Sequence, residues 1–265
     1  MFAFGLNSKK WVKKFQKTEK ETKNYNKLLY NTWKRIITDY ELDFKKFLES
    51  IQEKEAEYEN SLIFLEMVGF TKRFANVQNL VCWGFYHSAL LELRFMLETT
   101  ILAYYLDQQL PKTKKDEKLK LMQKHKGELW GERLRRRAYM YEKPFGQEVT
   151  QVISEINKSI DEYMTDLSPE DWREPAIAFS ERDFNDCVYH SKNVAVLIIR
   201  HFTKSFEEFK YYGELLVKHK VQQTESKEVL EKELDVETKI TSTGVEEKEE
   251  KDEATAPTSP EEKET

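Results

Sequence analysis

The stretch NLVCWGFYHSALLELRFMLETTILAYYL, Asn79 to Leu106, decides the fold class. At about 100° per residue, Leu80, His87, Leu91, Arg94, Glu98, Leu102 and Tyr105 fall in one narrow stripe. The other faces carry Trp83, Phe85, Leu90, Leu93, Phe95, Met96, Leu97, Ile101 and Ala103. A helix apolar on every side belongs inside a protein. Charges on such a helix are costly unless partnered. The line His87–Arg94–Glu98 is therefore expected to be either a buried structural network or a site. Arg94 and Glu98 are four apart and can meet, whereas Glu92 points to another face.

Outward from this segment the chain reads as helical almost throughout. Only 8 Gly and 6 Pro occur among 265 residues, which argues against turn-rich β architectures. Aromatics at 13% supply a substantial core. Leu29, Trp33, Ile36, Tyr40, Phe44, Phe47 and Ile51 repeat at 4-3-4-4-3-4 and predict one helix from about Thr18 to Glu57. The central helix is expected from about Ser61 to Leu110, where Pro111 stops it. Gly69 and Gly84 mark places for a kink or a close contact.

Thr113 with Asp116 starts a short helix, and Gly127 to Tyr141 forms another. Gln147 to Met164 continues the pattern. Ser168-Pro169 signals a further helix start, and Ser180 with Asp183 opens the last helix to about Val221. No period-two alternation occurs before residue 236. The expected fold is all-α: a bundle of long antiparallel helices, shorter helices packed at one end, and a disordered C-terminal tail.

The net charge of −5 is unevenly spread. Gln222 to Thr265 holds 6 Lys and 15 acidic residues. Glu246 to Thr265 is low-complexity and cannot bury enough apolar area to offset its ordering entropy. The chain therefore divides into a basic N-terminal arm (1–17), an all-helical domain (18–221) and a disordered acidic tail (222–265).

Cys82 and Cys187 are the only cysteines. Their apolar helical settings suit reduced thiols and a cytoplasmic location, a cross-link between them being the alternative. Phe2 to Leu6 is too short for a signal-peptide core, and the basic cluster follows it. Phe74 to Leu91 lacks charge, but Asn76, Gln78, Asn79, His87 and Ser88 make a membrane span there unfavourable.

Candidate chemistry is sparse. There is no G-x-S-x-G, no G-x-x-x-x-G-K and no G-x-G-x-x-G. His87 as acid or base beside an anion-binding Arg94 is one site reading, and a buried Arg–Glu pair with a hydrogen-bonded histidine is the structural one. His190 and His201 lie on one side of the last helix, where His190 is expected to approach His87. Cys187 and His190, three apart, have metal-ligand spacing, yet there are too few soft ligands and no Glu-x-x-His pair. Neither a metal nor another cofactor is expected.

Lys112 to Lys143 holds 12 basic and 5 acidic residues. Within it Trp130, Arg133, Arg135, Arg136 and Arg137 mix cations with a stacking surface, as nucleic-acid binders do. The alternative is an ordinary solvated helix face. If the acidic tail competes for this patch, deleting Gln222 to Thr265 raises nucleic-acid affinity at low salt. The arm combines Phe2, Phe4, Leu6, Trp11, Val12 and Phe15 with Lys9, Lys10, Lys13, Lys14 and Lys17. They suit docking on the bundle or a partner subunit, and peripheral membrane contact through residues 2–17 is a further reading.

The phrase Ala89-Leu90-Leu91-Glu92-Leu93-Arg94, then Glu98, then Ala103-Tyr104-Tyr105-Leu106-Asp107, resembles the core helix of uncharacterised prokaryotic helical-bundle proteins related to the HEPN superfamily. That superfamily serves prokaryotic defence and RNA processing. Its active ribonucleases carry Arg, four to six residues, then His. Here the nearest match, Arg182 and His190, has seven residues between, which turns the two side chains about 80° apart on a helix. The resemblance so implies a non-catalytic member.

Three functions follow as expectations. The first is a non-enzymatic, self-associating interaction module. The second is a HEPN-type RNA-processing or defence ribonuclease with Arg182 and His190, or Arg94 and His87, in its cleft. The third is a nucleic-acid-binding protein using the basic patch at 112–143.

Overall fold

The computed structural model describes residues 8–52, 58–124, 132–166 and 178–211. These belong to one compact unit, 1–215, and the expected disordered tail lies outside the described residues. The fold is all-α. Among the described residues there are eight helices and no strand: α1 Ser8–Tyr25, α2 Lys27–Ser50, α3 Leu62–Cys82, α4 Tyr86–Gln109, α5 Lys115–Lys124, α6 Glu132–Ala138, α7 Lys143–Asp166 and α8 Glu181–Ser205.

Two expected helices are each divided in two. The helix anticipated from Thr18 to Glu57 breaks at Asn26, whose backbone leaves the helical region and whose Oδ1 accepts from Leu29 N at 2.9 Å. Asparagine competes for backbone donors and favours such caps. The helix anticipated from Ser61 to Leu110 reverses at Trp83-Gly84-Phe85. Gly84 has φ +80°, a left-handed conformation that favours glycine. An added Cβ there would lie 2.9 Å from Ala178 O and 3.3 Å from Thr18 Cγ2. So α3 and α4 form an antiparallel hairpin, fastened by Ser61 to Asp107 at one end and Arg73 to Glu92 nearer the turn.

The long helices alternate in direction. Tyr40 Oη donates to Met67 O at 2.8 Å, tying α2 antiparallel to α3. Helix α8 runs alongside α4 in the same sense, since Tyr86 meets Cys187 and Tyr104 meets His201. Helix α7 runs opposite to both, pairing Ser159 with His190 and His87 with Tyr163. Helix α4 is thus flanked by α3, α7 and α8. It buries Leu93, Met96, Leu97, Ile101 and Ala103 as its periodicity requires.

The last helix stops at Ser205, short of Val221, because Phe206 turns extended. Phe206 and Phe209 then fold back onto Phe47, with ring centroids 5.6 Å away in each case. Short helices α5 and α6 sit at the end of the bundle where α4 finishes. There Lys118 of α5 and Asn60 meet Asp107 and its surroundings, while Tyr139, just after α6, stacks on Tyr104. Helix α7 has 24 residues and belongs with the long helices, although it lies in the region expected to hold only short ones. The start signal at Ser168-Pro169 falls outside the described residues.

Candidate functional site

Along α4 the line His87–Arg94–Glu98 runs at the seam with α7 and is only partly covered. Arg94 Nε donates to Glu98 Oε1 at 3.0 Å, with the Arg94 side chain 40% exposed and Glu98 10%. His87 stacks on Tyr163 of α7 with ring centroids 5.7 Å apart. Leu91, in the same line, is exposed. The line is a rim, and its guanidinium reaches water.

His190 and His87 both meet α7, at Ser159 and Tyr163 four positions apart, whereas His201 contacts Tyr139 and Leu197 O. His190 is buried, and its Nε2 lies 2.9 Å from Ser159 Oγ on α7. Among the described residues its Nδ1 has no hydrogen-bond partner. Burial lowers its pKa, opposed by Asp186 and Glu155 nearby. Arg182, at the first turn of the same helix, points to the surface and donates to Glu162 Oε2 at 2.9 Å. Arg182 and His190 are therefore held by different partners, Glu162 and Ser159, which stand three apart on α7. Cys187, meanwhile, directs its thiol toward Tyr86 O at 3.7 Å, on the α4 side. Its metal-ligand spacing with His190 does not become a shared centre. Both cysteines are free and buried, and burial raises both thiol pKa values. Among the described residues no group of three or more His, Cys, Asp or Glu is placed to hold a metal.

Of the basic-patch residues, Trp130 and the side chain of Arg133 lie outside the described residues. Arg135, Arg136 and Arg137 occupy the last turn of α6, where cations complement the helix dipole. Arg136 and Arg137 are exposed, and Tyr141 beyond them is 91% exposed.

The most organised polar feature lies on the other side of α4, in the α3–α4 seam, and the sequence reading missed it. Arg73 Nη1 donates to Glu66 Oε2 at 2.8 Å and to Thr99 Oγ1 at 3.0 Å. Its Nε donates to Glu92 Oε1 at 3.3 Å, and its guanidinium lies 5.0 Å from the Phe95 ring centroid. Burial raises the pKa of Glu66, against the pull of Arg73. The signal was present in Glu66 and Arg73, seven apart on the mainly apolar α3. It was unreadable without knowing that the chain reverses at Gly84 and brings Glu92 alongside.

This network underlies an exposed apolar face. Leu65 and Val68 on α3 are 43% and 52% exposed, and Leu91 and Phe95 on α4 are 43% and 39%. Among the described residues, nothing lies within 4 Å of where a Cβ on Gly69, one residue after Val68, would stand. Single exposed apolar residues are ordinary; here two such pairs lie on adjacent helices.

The fold and this face together describe an all-α bundle with a hairpin-borne apolar surface. Comparison with protein-family models, with curated proteins and with solved structures gives no match.

Proposed function

We propose that this protein is a non-enzymatic helical interaction module that self-associates through the outer face of the α3–α4 hairpin. The observation that carries this reading is the set Leu65, Val68, Leu91 and Phe95, four large apolar side chains left half in water by two adjacent helices. A two-fold interface requires a patch that tolerates its own copy. Here the embedded charges are Glu66 and Glu92 with Arg73, and Lys72 lies exposed beside them, so the face carries both signs equally. The open space over Gly69 admits a facing helix closely. The seven residues between Arg182 and His190, and the engagement of Arg182 by Glu162, support a non-enzymatic role.

Sedimentation equilibrium on the full chain tests the reading. The expected result is a dimer that Val68→Lys converts to monomer while its unfolding midpoint stays unchanged, because Val68 is half exposed in the protomer. A wild-type chain that remains monomeric at about 100 μM, above any useful micromolar Kd, refutes it.

A further inference from the structure

A second surface lies at the opposite end of the hairpin, around its turn. Helix α1 carries seven lysines against two glutamates, and neither glutamate precedes residue 19. From Ser8 to Thr18 five lysines are interleaved with Trp11, Val12 and Phe15. The structure joins this helix to the turn. Phe15 packs against Trp83 at 6.2 Å and Phe85 at 5.7 Å between ring centroids, and against Trp11 at 6.4 Å. Thr18 and Thr22 of α1 are buried, on its inner face. The aromatic cluster is thus anchored to the bundle, yet its outer parts stay wet: Val12 is 51% exposed and Trp83 39%.

We propose that this end of the molecule is a peripheral docking surface for an anionic lipid membrane. Trp11, Val12 and Trp83 would enter the headgroup boundary while Lys13 and Lys17 meet the lipid phosphates and carboxylates. Three features favour lipid over other anions. Tryptophan rings prefer the interface, where one edge is apolar and the other hydrated. An exposed valine between lysines gains from an acyl boundary and gains nothing from a phosphate backbone. A lysine-rich amphipathic helix fixed to a rigid body presents its charges in one orientation, each worth roughly fivefold in binding to an anionic leaflet. Lys14 lies 5.2 Å from the Trp11 ring centroid and Lys17 pairs with Glu21 at 3.7 Å, while Lys13 and Lys17 are both exposed on α1. Among the described residues no helix is long and apolar enough to cross a membrane. The contact described is therefore with the surface.

Vesicle co-sedimentation of the full chain tests the inference. The probes are phosphatidylcholine vesicles carrying one-third phosphatidylserine, and vesicles of phosphatidylcholine alone. The expected result is binding to the first and not the second, weakened about tenfold or more in Lys13→Glu/Lys17→Glu, as two reversed charges require. Val12→Asp should also weaken it several-fold. Both variants alter exposed positions and should keep the wild-type unfolding midpoint. Equal binding to both vesicles, no binding to either, or an unaffected charge-reversal variant each overturns the proposal. So does binding to a single-stranded oligonucleotide with none to anionic vesicles, which assigns the lysines to nucleic acid. Val68→Lys leaves this surface intact, so loss of self-association and loss of vesicle binding are separable results.

Discussion

Tyr139 Oη and His201 Nε2 lie 2.6 Å apart inside the bundle, joining the turn after α6 to the last helix. The other ring nitrogen, Nδ1, is 2.7 Å from Leu197 O. A carbonyl only accepts, so Nδ1 carries the proton, Nε2 accepts, and Tyr139 donates. Phe145 and Tyr104 enclose the imidazole at 4.9 and 5.2 Å between ring centroids. The site holds a neutral histidine.

That tautomer sets a pH dependence. Burial pushes the His201 pKa from 6.5 down to about 4, with Lys204 and Arg200 adding to the fall and Glu142 opposing it. Between those values the unfolded chain binds a proton that the folded chain refuses, so stability falls as pH drops below 6.5 and levels off near 4. The loss is of order 3 kcal/mol. Urea unfolding of wild type and His201→Gln across pH 7 to 4 measures it: the wild type should lose about that much more than the variant. Parallel pH profiles would show that the histidine is not the titrating group.

Asp107 caps α3 from the far end of α4. Its carboxylate accepts from Ser61 Oγ, Leu62 N and Ile63 N, and from Lys118 Nζ at 2.8 Å. Lys118 is 2% exposed, and its Nζ also donates to Asn60 O at 3.0 Å. Removing one partner of a buried pair strands the other, at about 3–5 kcal/mol, and here the helix cap is lost as well. Asp107→Ala should therefore cost at least that much in thermal or urea unfolding. Lys118→Met keeps the stem's packing and leaves Asp107 three donors, so about 1 kcal/mol is expected. Equal costs for the two variants would contradict this asymmetry.

Two glycines respond oppositely to alanine. At Gly84 the left-handed backbone and the approach of Ala178 O and Thr18 make Gly84→Ala destabilising by about 1–3 kcal/mol. At Gly69, mid-helix with open space around it, alanine should stabilise the protomer by up to about 1 kcal/mol. If the hairpin face is the self-association surface, Gly69→Ala also weakens the dimer. Calorimetry and sedimentation on the same sample separate the two effects.

Much of the fold was legible because its signals are local. The stripe Trp33, Ile36, Tyr40, Phe47 needs only neighbours in sequence to predict a buried helix face, and those residues are buried. Ser180 caps α8 where its pairing with Asp183 indicated. Periodicity failed at Gly84 because an apolar run that continues through a reversal has the same composition as one that goes straight. The polar line on α4 was legible as a stripe, and its Arg94–Glu98 pair forms as its spacing allows. Its partial exposure was not legible, since hydropathy records what a residue prefers and not which neighbour arrives to cover it.

By itself, then, the sequence determines the helical class, the helix faces that go inward and the concentration of positive charge in α1, because each depends on residues a few positions apart. The arrangement of Arg73 between Glu66 and Glu92 and the meeting of Phe15 with Trp83 depend on how distant segments of the chain come together. The reversal at Gly84 rests on a single residue, whose left-handed backbone is closely approached by Ala178 and Thr18. That approach exists only once distant segments have come together.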